Sequence, residues 1–391
     1  MKKIFNFKII LAGLFLLFAE CDNLSCLGAE NYILAKDKKT DYVLVVKDEG
    51  NTAAENFAAE ELKSHLDKVT GAEFKVSKES EVKGSAGRRI YVGQTDFAKN
   101  NNVDYAKLGQ EEWIIKTVDG NLIISGGRPR GTIYAVYEFL EKFAGCHWLA
   151  EDTAVIPSTP DFSIPFIDIT EKPAFWFRNF CIPIQADAGK SVAFLARNKH
   201  NFGYLNAKYG FTERVGSPRD THTFYDYSKD WPADHLEYFA MQPNGKRVRG
   251  IKGSPGQICL TNPDVRKLMY EKLKSFIQAD REKAAKDGYP PPKFYDISQN
   301  DNSEPCVCPS CKALSEKEGA YSGVILDFIN DIADKIKPEY PDIIIQTFAY
   351  TFTIEPPKTV KPRDNVMIRL CNLGIESGCG ISEPTRPISS E

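Results

Sequence analysis

Apolar and polar positions along this chain follow two periods. Between residues 53 and 69, Ala54, Phe57, Ala58, Leu62, Leu66 and Val69 fall on one stripe at helical spacing. Thr70 and Gly71 then supply a glycine stop at the helix C-terminus. Strands are predicted at 42–46, 74–76 and 89–92, and two more at 113–118 and 121–125. The last two flank Asp119 and Gly120, a pair that favours a two-residue hairpin. A second helix is predicted over 131–143, with Ile133, Val136, Tyr137, Leu140 and Phe143 in phase. This succession predicts a small α/β domain over 30–165. The glycine-rich run 126–131 fits neither nucleotide-binding fingerprint: no Lys-Ser/Thr pair follows its last glycine, and Pro129 removes an N–H. A tight strand-to-helix turn is expected there.

Residues 157–173 carry prolines and little pattern, which predicts a linker. Beyond them strands are expected at 176–180, 202–206, 221–224, 294–298, 343–348 and 366–370, with helices at 191–198, 263–279 and 323–336. Asn262 and Pro263 make an N-cap and first-position pair. Strands alternating with helices imply parallel pairing. The fold class expected is therefore α/β: a small α/β sandwich domain, then an incomplete (β/α)8 TIM-type barrel over 174–391. Six strands leave such a barrel two βα units short, so it is expected to be cut off at the irregular run 374–391.

The run Ser298-Gln299-Asn300-Asp301-Asn302 places polar groups at the carboxyl end of a strand, where barrel enzymes hold their substrates. Alternation puts Asp296, Ser298 and Asn300 on one strand face and Ile297, Gln299 and Asp301 on the other. A carboxylate held by neighbouring amides suits general acid or base work, and glycoside hydrolysis usually uses two. Asp301 is the first candidate, followed by Glu304 and Asp296. The bland reading is an Asx turn. Around this mouth Arg178, Asn206, His222, Glu237, Asn300 and Tyr350 are candidate substrate contacts. Arg178 pairs either with a sugar carboxylate or with a core acid.

Cys306, Cys308 and Cys311 follow at once. Their spacing fits a structural zinc clip, or a disulfide plus one free thiol. A fourth ligand has to come from Cys259, Cys371, Cys379 or a carboxylate. Saturating thiolates leave a metal no open position, so hydrolysis here would require no cofactor.

Composition narrows the classes. The 391 residues carry a formal charge of −3 and no long basic run, which argues against nucleic-acid binding. Lys2, Lys3 and Lys8 precede the apolar run 9–19, too short to span a bilayer but suited to an export signal over 1–29. The protein is thus expected to be exported, to the periplasm, the cell surface or the medium. Cys21 offers a lipid-anchor alternative, against which Glu20 stands because a small residue is wanted there.

These motifs also resemble a family. His222-Thr223-Phe224, His235 to Phe239, Asn244 to Arg247, Gln257 to Pro263, Ser298 to Asn302, the three cysteines and Thr347 to Tyr350 are similar to the bacterial domain-of-unknown-function 4838 family, over about 175–371. His235-Leu236-Glu237 departs from that family's usual His-Pro-Glu. Ala58 to Leu62, Thr70-Gly71, Arg130 to Tyr134 and Phe139 to Glu141 resemble the domain preceding the barrel in alpha-glucuronidases and related hexosaminidases. The pair implies a glycoside-hydrolase-like protein acting on a polysaccharide or glycan, with an acidic or acetamido sugar. The resemblance supplies no catalytic assignment, and the family extends beyond this chain's end. The alternative is a non-catalytic surface glycan-binding protein on a degenerate barrel.

Overall fold

The computed structural model describes residues 31–179, 188–204 and 206–371. The expected leader with Cys21, Cys181, Cys379, the run 374–391 and the end of the 176–180 strand lie outside them. The described residues are mixed α/β and divide into two compact units, one made of those up to 201 with 206–211, the other of those from 202 to 204 and from 212 to 371.

The first unit contains β1 (Tyr32–Ala35), β2 (Tyr42–Val46), α1 (Ala53–Thr70), β3 (Lys75–Lys78), β4 (Arg88–Val92), α2 (Asp96–Asn100), β5 (Trp113–Val118), β6 (Asn121–Gly126), α3 (Gly131–Lys142), β7 (His147–Ala150), β8 (Thr153–Val155), β9 (Phe162–Ile164), β10 (Asp168–Glu171) and α4 (Ala188–Arg197). Six strands form one sheet in the order β10-β5-β6-β4-β2-β3. Thr52 opens α1 with a capping box shared with Glu55, and Gly71 closes it at φ 70°, in the left-handed region glycine favours. Val45, Tyr91 and Ile123, paired across β2, β4 and β6, pack with Phe97, Ala98 and Val103. The alternate residues Leu44, Ile90 and Leu122 are buried on the opposite face, and α1 and α3 pack on β2, β4, β5 and β6.

Two expectations change here. Residues 157–173 are not a bare linker: β9 pairs with β1, and β10 is the edge strand beside β5. The glycine-rich run is a packing device. A Cβ on Gly127 would lie 1.9 Å from the Gly109 carbonyl oxygen, and one on Gly126 2.3 Å from the Gly131 carbonyl carbon. The glycines are there because backbone passes within contact distance, and the tight-turn reading stands.

The second unit holds α5 (Phe224–Ser228), α6 (Pro263–Asp287), β11 (Phe294–Asp296), α7 (Pro309–Glu318), α8 (Ser322–Ile336), β12 (Ile344–Ala349) and β13 (Val366–Leu370). β11, β12 and β13 pair in parallel in chain order. A parallel bridge from Val215 to Phe294 extends the sheet by one position. Tyr295, Ile297 and Ile345 point into a core with Met269 and Leu273 of α6 and Phe328 and Ile332 of α8. Alternation sends Asp296, Ser298 and Gln346 to the other face.

The strands expected at 202–206 and 221–224 do not form. The first is reduced to a bridge between Phe202 and Glu213, and Asn206 instead caps a 3-10 turn at Ala207–Tyr209. In the second, His222 has φ 54°, which takes the chain out of extended geometry into α5. Residues 176–179 are likewise not a strand. Helix α6 runs beyond the expected 279 because Lys, Glu and Ala continue it until Gly288 at φ 73°.

Candidate active site and cysteine cluster

The amides after β11 are spent on building the loop. Gln299 donates to the Tyr350 carbonyl at 2.8 Å and to Thr351 Oγ1 at 3.1 Å, and its Oε1 accepts from Thr353. Asn300 donates to the Gly256 carbonyl at 2.5 Å and accepts from the Tyr225 N–H. Gln257 bonds both the N–H and the carbonyl of Asn300, and also Asn302 Oδ1. Ser298, Gln299 and Asn300 are fully buried. Asn300 therefore shapes the loop and presents no face to solvent, contrary to its expected place among the substrate contacts. The Asx turn in this run belongs to Asn302, whose Oδ1 accepts from the Glu304 N–H. Glu304 itself is exposed on the way to Cys306.

Asp301 is the carboxylate this framework turns outward, with its side chain 65% exposed. Tyr350, the residue after β12, donates its hydroxyl to Asp301 Oδ1 at 2.9 Å. That carboxylate pushes the Tyr350 phenol above its ordinary value. His222 Nε2 lies 4.0 Å from the same oxygen. His222 Nδ1 is 2.9 Å from the Gln299 carbonyl, which can only accept, so Nδ1 carries a proton and Nε2 faces Asp301. The His222 ring packs against Phe348 and Tyr350, with centroids 5.4 and 5.8 Å away. His222 at φ 54° and Thr351 at φ 50° both hold the left-handed backbone, which is strained for a β-branched threonine. Three of the predicted residues, Asp301, His222 and Tyr350, thus come together beyond the carboxyl ends of β11 and β12.

Beneath them lies a buried polar network that the sequence reading only partly anticipated. Asp296 accepts from Ser298 at 2.5 Å, Thr223 at 3.1 Å and Gln346 at 3.1 Å. Burial outweighs these three donors and pushes its carboxyl up to about 7. With no exposure, Asp296 positions its neighbours and does not reach solvent. Gln346 also donates to the Asp220 carbonyl. The Arg369 guanidinium lies 5.8 Å over the Phe348 ring and 4.0 Å from the half-exposed Asp220 carboxylate. Asp220, Gln346 and Arg369 were not predicted. The available signal was a polar residue interrupting each apolar run, Gln346 within 343–348 and Arg369 within 366–370.

Arg178 and Asn206 belong to the first unit. Arg178 pairs with Glu111 at 2.9 Å and donates to the Lys199 and Phe175 carbonyls, which answers the choice in favour of the core acid. Asn206 Oδ1 accepts from the Lys208 N–H. Glu237 pairs with His235 at 2.6 Å, each holding the other's charge: Glu237 is pulled down and His235 pushed up.

The three clustered cysteines acquire their fourth member from 259. The Sγ atoms of Cys259, Cys306, Cys308 and Cys311 lie within 4.8 Å of one another, and all four residues are buried. Cys371 is elsewhere, its N–H on the Ala349 carbonyl at the end of β12. The Met241 N–H donates to Cys306 Sγ at 3.2 Å, and Thr261 Oγ1 is 3.2 Å from Cys311 Sγ. The Cys306 and Cys311 thiols, with the Arg247 guanidinium, hold the Cys259 thiol far below its ordinary value.

Residues 29–139 match the glycosyl hydrolase family 67 N-terminus. Among solved structures, the chain is similar to a family GH115 4-O-methyl-alpha-glucuronidase with specificity for decorated arabinogalactans, BtGH115A. That likeness has 12% identity and a TM-score of 0.49, over 86% of this chain and 45% of the other. It is also similar to CpGH84B, at 12% identity and TM-score 0.42 over 87% and 54%, and to CpGH84D, at 12% and 0.43 over 88% and 53%. The chain spans about half the length of these structures. None of the curated proteins compared with it matches. Residues 148–390, well over half of the chain, match the domain of unknown function DUF4838, and the chain belongs to that family.

Proposed function

We propose that this chain is an exported glycoside hydrolase-like protein, with Asp301 as the group that exchanges a proton with the glycosidic oxygen. The observation that carries the reading is the exposed Asp301 carboxylate, held by Tyr350 and faced by His222, at the carboxyl ends of parallel strands. Parallel pairing from Val215 through β11, β12 and β13 in chain order is what part of a (β/α)8 barrel would contain. The family 67 N-terminus match in the first unit is in keeping with a glycan substrate.

Tyr350 fixes the carboxylate's rotamer, and its hydrogen bond strengthens as Asp301 hands its proton to the glycosidic oxygen and becomes the carboxylate. His222 Nε2, the exposed edge of an aromatic shelf with Phe348, accepts from a sugar hydroxyl. Asp220, half-exposed beside Arg369, is our choice for the second carboxylate that hydrolysis calls for. This chemistry needs no metal at the reacting atoms.

The test is a panel of aryl-glycosides, including uronic and acetamido sugars, offered to the full-length protein and to its Asp301→Asn variant. Turnover of at least one glycoside that disappears in the variant supports the enzyme. Tight glycan binding without turnover in the wild type assigns the site to a surface glycan-binding protein instead.

A further inference from the structure

We infer that Cys259, Cys306, Cys308 and Cys311 bind one structural Zn2+, which clamps the loop carrying Asp301. Zn–S bonds of about 2.3 Å in a tetrahedron place sulfurs about 3.8 Å apart. Cys259 and Cys308 Sγ are 3.7 Å apart, and the whole set fits within 4.8 Å. A disulfide would pair two of these sulfurs and leave two buried thiols with weak partners. A metal uses all four.

The surroundings suit a doubly charged thiolate cluster. The Met241 N–H bonds Cys306 Sγ at 3.2 Å, and the Thr261 hydroxyl lies 3.2 Å from Cys311 Sγ. Such outer partners orient ligands and offset their charge. Cys308 caps α7 and Cys311 lies in its first turn, so one helix end presents two ligands rigidly. Four thiolates leave the ion no open position, which makes the site structural.

The clamp follows from connectivity. Gln257, two residues before Cys259, bonds Asn300 on both backbone groups and Asn302 on its side chain. Cys306 to Cys311 follow the same loop on its other side. The ion therefore joins the segments on either side of residues 299–302. The metal site stands apart from the glycosidase reading, and only its bearing on Asp301 touches that reading.

The test uses the full chain produced in zinc-replete medium. Metal content is measured by mass spectrometry, cysteine state by alkylation in denaturant without reductant, and loop order by hydrogen exchange before and after chelation. The expected result is about one zinc per chain, all four cysteines alkylated, and thiolate-to-metal charge-transfer bands on cobalt substitution. Exchange at 299–302 should rise roughly tenfold or more on metal removal. Cys259→Ser should lose most of the zinc, and cobalt titration of the wild type decides the matter if that variant fails to fold. Zinc-free protein, or a disulfide among the four, overturns the site. Zinc bound with unchanged exchange at 299–302 overturns the clamp, whether or not any glycoside is cleaved.

Discussion

Asp296→Asn should change how the stability of the second unit depends on pH. The Asp296 carboxyl stands at about 7 in the folded protein against an ordinary 3.8, because burial outweighs the hydrogen bonds from Ser298, Gln346 and Thr223. Between pH 4 and 7 the unfolded chain has released this proton while the folded chain keeps it. The folded state then binds more protons, so this group's contribution falls as pH rises, by about 1.4 kcal/mol per pH unit. From pH 4 to above 7 the loss is on the order of 4 kcal/mol, an upper limit. Asparagine keeps the shape and cannot ionise, but its amide must repartner with Gln346 at a cost of about 1 kcal/mol. Asp296→Asn should therefore lie within about 1 kcal/mol of wild type at pH 5, and be more stable by roughly 1–3 kcal/mol at pH 8. Thermal and urea denaturation of both proteins at half-unit steps from pH 5 to 8 measures the difference, in which other titrating groups cancel. Parallel curves for the two proteins would refute the reasoning.

Two further outcomes follow from the geometry. In Asp301→Asn the Tyr350 phenol loses the carboxylate that raises it, so its ionisation should fall back toward 10.0; carbon-13 tyrosine resonances followed through an alkaline titration would show this, and an unmoved resonance would remove the contact. Gly127→Ala should destabilise the first unit by about 3 kcal/mol or more, because the new Cβ meets the Gly109 backbone at 1.9 Å; a thermal midpoint unchanged within a degree would contradict the packing role.

Elements with a strong period were legible in the sequence. The hairpin of β5 and β6, the amphipathic α1 and α8, and β13 all lie where apolar spacing puts them. β9 and β10 were not legible, since each is short, flanked by proline and stabilised by a partner far away in the chain, β1 or β5. The runs 202–206 and 221–224 mislead for a different reason. Their aromatic content is strand-like, but Asn206 caps a turn and His222 takes a left-handed backbone, choices made by tertiary contacts. The loop chemistry was half legible. A carboxylate among amides could be picked out, but only side-chain bonding separates the outward Asp301 from Asn300, which is used inward. Cys259 could be named only as one of several options, because convergence of residues so far apart is a property of packing alone.

The central claim is that Asp301 moves the proton at the glycosidic oxygen. The most direct measurement compares Asp301→Ala with the wild-type full-length protein on two aryl-glycosides of one sugar, one with a strongly acidic leaving phenol and one with a weakly acidic one. Loss of a general acid should slow the poor leaving group by about 10²–10⁴ and spare the good one. Equal losses on both substrates, or none, would contradict the assignment.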